Sequence, residues 1–255
     1  MNLGLIKRKI FLAKQQFNDN SKLRVQIDAI KSVRVFESNK QFIIDMNEKW
    51  NLIKKQELES NTGEPRIGVV VAHYNENLSW LPNIKYKCRI ISKYGLPKET
   101  APNKGNEASS FLQYIINNYE SLDDYTIFVH GHRTAWHHAE NTDVKINRLE
   151  FKHNYYNIND GGLRSLVGIP EWNRMRYMIP PVTLLFGTFV NLKELRFRNS
   201  AQFYVHKNNI LRHSKETYQK LYEYLMKNHE TSYWTGRVFE YLWHVIFTGN
   251  ICDIP

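Results

Sequence analysis

The 255-residue chain carries a net charge of +10, with 42% hydrophobic and 13% aromatic residues, a composition that argues for a globular protein with a sizeable core. Its two cysteines, Cys88 and Cys252, are too few and too far apart for a disulfide framework or a thiolate zinc site, so a reducing, cytoplasmic compartment is expected. No apolar run nears the ~20 residues of a membrane helix, and the basic residues inside MNLGLIKRKIFLA argue against a signal peptide.

Residues 1–62 read as a helical extension. In this segment Phe42, Ile43, Met46, Trp50 and Ile53 recur at helical steps. Residues 1–60 hold 12 Lys/Arg against 7 Asp/Glu, half of the net charge, which suits an anionic surface or a phosphate-bearing partner. The polar run from Glu57 to Pro65 marks the junction into an α/β domain over 63–255. That domain opens on Ile67, Val69, Val70, Val71 and Ala72, a nearly unbroken apolar run expected of a central strand covered on both faces. One helical turn over 77–81 should stop at Pro82, and Tyr86–Ser92 reads as the second strand. A helix from Glu107 to Tyr119 with Phe111, Leu112, Ile115 and Ile116 inward leads to a third strand, Tyr125–Val129. Strand, helix, strand in this order predicts a mostly parallel sheet with right-handed crossovers. Beyond a loop-rich stretch at 133–180, the pattern predicts helices over 181–195, 214–228 (capped by Ser214) and 237–247, with a strand at 201–205.

Three loops should meet at the carboxyl edge of this sheet, where open α/β folds bind ligands. They are His73-Tyr74-Asn75-Glu76, then Asn103-Lys104-Gly105-Asn106-Glu107 at a helix start that favours an anion, then His130-Gly131-His132-Arg133. In an extended segment His130 and His132 fall on one side, and Gly131 permits close approach of a ligand.

The blocks VVVAHYNENLSWL, PNKGNE, FVHGH, AQFYV and EYLWHVIF, in order over about residues 66–250, resemble a domain-of-unknown-function family found in eukaryotes and large viruses. That family looks like the A-type-fold, Rossmann-like glycosyltransferases, and an apolar strand followed by Tyr-Asn-Glu is how family 2 and related glycosyltransferases open their nucleotide-sugar domain. The resemblance implies a nucleotide-sugar donor, a glycan or glycoprotein acceptor, and, for a viral member, action in the host cytoplasm. It implies donor contacts from His73, Tyr74, Asn75, Glu76, Asn103, Lys104, Gly105, Glu107, His130, His132 and Arg133. His130-Gly131-His132 stands where the Asp-x-Asp metal motif is expected. Manganese or magnesium is therefore left without assigned ligands: either Lys104, Arg133 or Arg164 neutralises the diphosphate without metal, or His130, His132 and His137 bind a divalent ion. The closing helix supplies Glu240 as the base that takes a proton from the acceptor hydroxyl, with Asp160 and Glu171 as substitutes. A surface pair with Arg237 is the plain structural role for Glu240. Trp136, Trp172 and Trp234 are candidates to stack on sugar rings. Two other functions compete: a metal-dependent phosphoesterase built on His73, His130, His132 and His137, and a non-catalytic nucleotide- or nucleic-acid-binding module.

Overall fold

The computed structural model describes residues 39–60, 62–93, 101–135, 139–159, 164–165, 177–187, 196–197, 201–228 and 231–249. Helix α1 (39–60) precedes β1 (Ile67–His73), β2 (Lys87–Ser92), α2 (Ala108–Asn118), β3 (Tyr125–His130), α3 (Thr142–Asn147) and β4 (Tyr155–Asn157). Then come β5 (Arg164–Ser165), α4 (Ile179–Phe186), β6 (Arg196–Phe197), β7 (Phe203–His206), α5 (Lys207–Ile210), α6 (Lys215–Lys227) and α7 (Ser232–Thr248). A five-stranded sheet has the order β2-β1-β3-β7-β4, and β5 pairs with β6 in a separate ribbon. No described helix is long and apolar enough to cross a membrane.

Strand alternation builds two cores from one apolar run. Val70 and Ala72 of β1 point into a cluster with Phe111 and Leu112 of α2, Leu221 of α6 and Phe239 and Trp243 of α7. Val69 and Val71 point to the opposite face, onto Ile43, Leu78, Trp80, Leu81 and Ile146. The sheet is thus the middle layer, buried on both sides, as its continuous apolar reading requires.

The parallel reading is correct for half of the sheet. β1 runs parallel to β2 and β3, with Val71 opposite both Ile90 and Val129. β7 is antiparallel to β3, and β4 is antiparallel to β7, so the sheet is mixed. A crossover helix dictates direction only where one joins two strands. α2 joins β2 to β3, whereas β7 arrives after a long excursion that imposes no such direction. Five short elements with weak patterning, α3 (TDVKIN), β4 (YYN), β5, β6 and α5, are not foreseen in the sequence. α7 begins before the predicted start and runs through Gly236, where a Cβ would lie 2.5 Å from Asn106 Nδ2. The glycine admits the 102–107 loop against the helix, and tertiary contact outweighs its poor helix propensity. Pro82 lies within a short 3-10 turn, Leu81–Asn83, rather than ending one. α4 stops at Gly187, left-handed at φ 69, and the rest of the predicted 181–195 helix lies outside the described residues.

β2 is an edge strand, and α1 covers it. Asn47 of α1 donates from Nδ2 to Ile90 O at 2.9 Å and accepts from Ile90 N–H at Oδ1 at 2.8 Å, so one side chain completes the ladder at mid-strand. On the same helix Ile43 enters one core and Trp50 the other. Replacing Asn47 by Ala strands a buried donor and acceptor, and unfolding by urea is expected to report a loss of ~1–3 kcal/mol. A loss below about 0.5 kcal/mol, the scale of an ordinary surface substitution, would show that water restores both bonds.

Candidate functional site

A cavity of about 250 Å³ opens at the carboxyl ends of β1, β2 and β3, lined by Ala72, His73, Tyr74, Glu76, Lys93, Asn103, Asn106, Glu107 and His130. The chain passes from β1 to β2 on one side and returns to β3 on the other. The cavity therefore sits at the switch point where such sheets hold ligands.

The first loop is locked by its own glutamate. Oε2 of Glu76 accepts from the backbone N–H groups of Tyr74 at 2.7 Å and Asn75 at 3.1 Å, folding the carboxylate back over the end of β1. A Cβ on Gly131 would lie 2.7 Å from that oxygen. Gly131 thus makes room for Glu76 rather than for a ligand, and Trp80 Nε1 pins its carbonyl at 3.0 Å. His73 is wholly buried; its Nδ1 lies 3.2 Å from Ser92 Oγ, while its Nε2 makes no hydrogen bond to the described residues. Burial lowers the pKa of its ring, against the pull of Glu76, so His73 is neutral near pH 7. The His130 and His132 rings meet edge to face at 5.2 Å. His130 is buried, and His132 is more than half exposed with Nε2 at 3.5 Å from Glu76 Oε1. Among the described residues no three His, Cys, Asp or Glu groups are placed to hold a metal ion, so no divalent ion is assigned to this pair.

The second loop supplies the charges. Lys93, one residue past β2, is buried and donates to Asn106 O at 2.7 Å, Pro102 O at 3.3 Å and Ser109 Oγ. Burial brings its pKa down to about 8, with Glu107 and Glu76 opposing. Glu107 keeps part of its surface in solvent, yet its carboxyl is desolvated. Burial and then the charge of Glu240 push its pKa up to about 7, with Lys93 pulling back. Glu240 does not line the cavity but lies close enough to be felt there. Its Oε2 accepts from Arg237 Nη1 at 3.0 Å, and both side chains are mostly buried.

Several expected contacts are directed elsewhere. Lys104 Nζ donates to Asn228 O at 2.7 Å at the end of α6, and Arg133 forms a two-pronged pair with Asp143 at 3.2 and 3.0 Å. Gly105 has φ +66, and a Cβ there would meet Leu225 at 2.3 Å. Its reason is packing on α6 rather than a phosphate. Asn75 is exposed and outside the lining. Trp234 stands edge to face with Tyr233 at 4.9 Å. Trp136, His137, Asp160, Glu171 and Trp172, the side chain of Arg164, and residues 1–38 lie outside the described residues. Asn106 stands in the expected second loop but not among the expected donor contacts, and Lys93 is the lining residue that sequence reasoning passes over. Lys93 follows the second of three parallel strands, and treating that strand's exit like the other two would have found it.

The Glu107 shift has a sign that can be tested. Below about pH 4.5 the carboxyl is protonated in both folded and unfolded chains; between 4.5 and 7 only the unfolded chain ionises, so stability falls as pH rises through about 7. Glu107→Gln keeps the neutral shape and removes that loss. At pH 8 the variant is expected to be more stable by up to ~3 kcal/mol in urea titrations, the gap closing by pH 4. Equal stability at pH 8 would mean that the carboxylate is solvated.

The chain matches the family model described as "Protein of unknown function (DUF3431)" over residues 69–161 and 182–255, and it belongs to that family. Every cavity-lining residue, and Glu240, falls within the matched segments. No curated protein and no solved structure matches the chain.

Proposed function

We propose that this DUF3431 member is a glycosyltransferase that moves a sugar from a nucleotide-sugar donor to a glycan or glycoprotein acceptor. The observation that carries the proposal is a pair of carboxyl groups, Glu107 in the wall of the switch-point cavity and Glu240 outside the lining but near Glu107. Glu107 holds its proton to about pH 7, partly because Glu240 lies near it, and Glu240 is oriented by Arg237. Two carboxyl groups in unlike settings are how one site runs acid and base steps at neutral pH. In this scheme Glu240 removes the proton of the acceptor hydroxyl and the acceptor oxygen attacks the anomeric carbon. The bond from that carbon to the diphosphate breaks, and the nucleoside diphosphate leaves with its electron pair. Neutral Glu107 donates a hydrogen bond to the sugar. The order of segments supports the same reading through its resemblance to A-type glycosyltransferases, an α/β fold with its donor site at this edge.

A panel of nucleoside diphosphate sugars tests the donor class. At about a hundred times its dissociation constant, a true donor stabilises the folded chain by ~2.7 kcal/mol, which a melting experiment reads directly. A panel in which no member raises the melting temperature would contradict the proposal.

A further inference from the structure

We infer that the enclosed part of the cleft is a subsite for one neutral pyranose ring, and that the diphosphate of a donor lies outside it. This deepens the transferase proposal and rests on it only for whether the ring is donor or acceptor sugar.

Size is the first observation. The described walls border a half-open cleft of about 250 Å³, below the ~300–1,000 Å³ of pockets that take drug-sized ligands, so a larger ligand must run out through its mouth. A single six-membered ring fits that space; a nucleotide sugar does not.

Hydrogen-bonding capacity is the second. His73 is fully buried and lines the cavity; its Nε2 meets no partner in good hydrogen-bond geometry among the described residues, the Glu76 backbone being a minor influence on the ring. A buried ring nitrogen of this kind is destabilising unless a partner meets it. The wall also carries Glu76, Glu107, Asn103 and Asn106, although the Asn106 amide packs against Gly236 of α7 and Glu76 Oε2 is taken by the N–H groups of Tyr74 and Asn75. A ring hydroxyl both donates and accepts, so adjacent hydroxyls satisfy such a mixed set.

Charge is the third. Lys93 is the lysine or arginine among the described lining residues, and its three protons are directed at Pro102 O, Asn106 O and Ser109 Oγ. Lys104 and Arg133, the cations expected for a diphosphate, are held by Asn228 O and Asp143. Beside Glu76 and Glu107, a doubly charged diphosphate meets no uncommitted lysine or arginine among the described lining residues.

The test uses the full chain and saturation-transfer NMR, with D-glucose, D-galactose, D-mannose and N-acetyl-D-glucosamine supplied singly, and UDP and GDP as competitors. At least one pyranose is expected to give a saturable signal that neither nucleotide displaces. In His73→Phe, which keeps a ring in place, that affinity should fall at least ten-fold. Should this variant fail to fold, Asn103→Leu at the exposed mouth carries the same expectation. The inference is overturned if no pyranose binds, if UDP or GDP displaces it, or if the folded variants bind as the wild type does. Pyranose binding without turnover of any nucleotide sugar leaves the subsite standing and removes the transferase reading. Turnover with displacement by the bare nucleotide does the reverse.

Discussion

Lys87→Met is expected to destabilise the chain by ~3–5 kcal/mol at pH 7, the usual cost of leaving one member of a buried ion pair alone. Lys87 Nζ lies 2.9 Å from Asp123 Oδ1, with the two side chains 1% and 0% exposed. Glu57 of α1 also contacts the ammonium, which lies 5.3 Å from the centre of the Trp50 ring. The cluster exists because β1 carries Gly68 at this point. A Cβ there would lie 2.3 Å from Trp50 and 2.5 Å from Asp123 Oδ2. Burial raises the pKa of Asp123, and Lys87 holds it down. Without Lys87 the carboxyl can escape its penalty only by taking a proton, so the loss should shrink as the solution is acidified. The double variant Lys87→Met, Asp123→Leu should recover most of the loss, since an apolar pair of similar volume is often neutral. Urea unfolding across pH checks both points; a single-variant loss below 1 kcal/mol, constant with pH, would contradict them. This cluster lies at the end of the sheet opposite the cavity, so its variants separate stability from function.

Glu240→Gln carries the larger functional effect. A positioned general base contributes ~10²–10⁴-fold to turnover, and the amide cannot accept the acceptor's proton. The substitution leaves the nine cavity-lining residues unchanged, so donor affinity should hold within a few-fold while turnover falls by that factor. The Glu107 carboxyl should respond as well. Removing the Glu240 charge takes away the second cause of its raised pKa, so that pKa should fall in the variant and can be followed by carboxyl NMR without any substrate. Unchanged turnover would return the Arg237–Glu240 pair to a structural role.

The central elements were legible because each carries its own signal. The apolar run at 67–72, the stripe of Phe111, Leu112 and Ile115, and the cap at Ser214, which accepts from Thr217 N–H at 3.3 Å, are local patterns that tertiary packing reinforces. The meeting of three loops followed from topology alone, and His73, Tyr74, Glu76, Asn103, Glu107 and His130 do line one cavity. What remained hidden was pairing at a distance. A sequence gives the position of Lys104 or Arg133 but not the carbonyl of Asn228 or the carboxylate of Asp143 that holds it. Lys93 is an unremarkable strand-end lysine until the 102–109 segment folds over it, and the Glu107 shift depends on a helix at the far end of the chain. The strand at 201–205 is legible as β7, but its antiparallel direction is not, and β4 is not legible at all, since neither is joined to its neighbour by a crossover that fixes direction.

The proposed reaction is transfer of a sugar from a nucleotide at the switch-point cavity, with Glu107 in its wall and Glu240 near that carboxyl. The most direct measurement is release of nucleoside diphosphate from a panel of nucleotide sugars, with wild type and Glu240→Gln compared at equal donor occupancy. The account predicts that wild type consumes at least one donor, sugar appearing on an acceptor or on water, and that Glu240→Gln is slower by ~10²–10⁴-fold. A folded wild type that binds a nucleotide sugar and releases nothing, or a Glu240→Gln protein that matches it, would contradict the account.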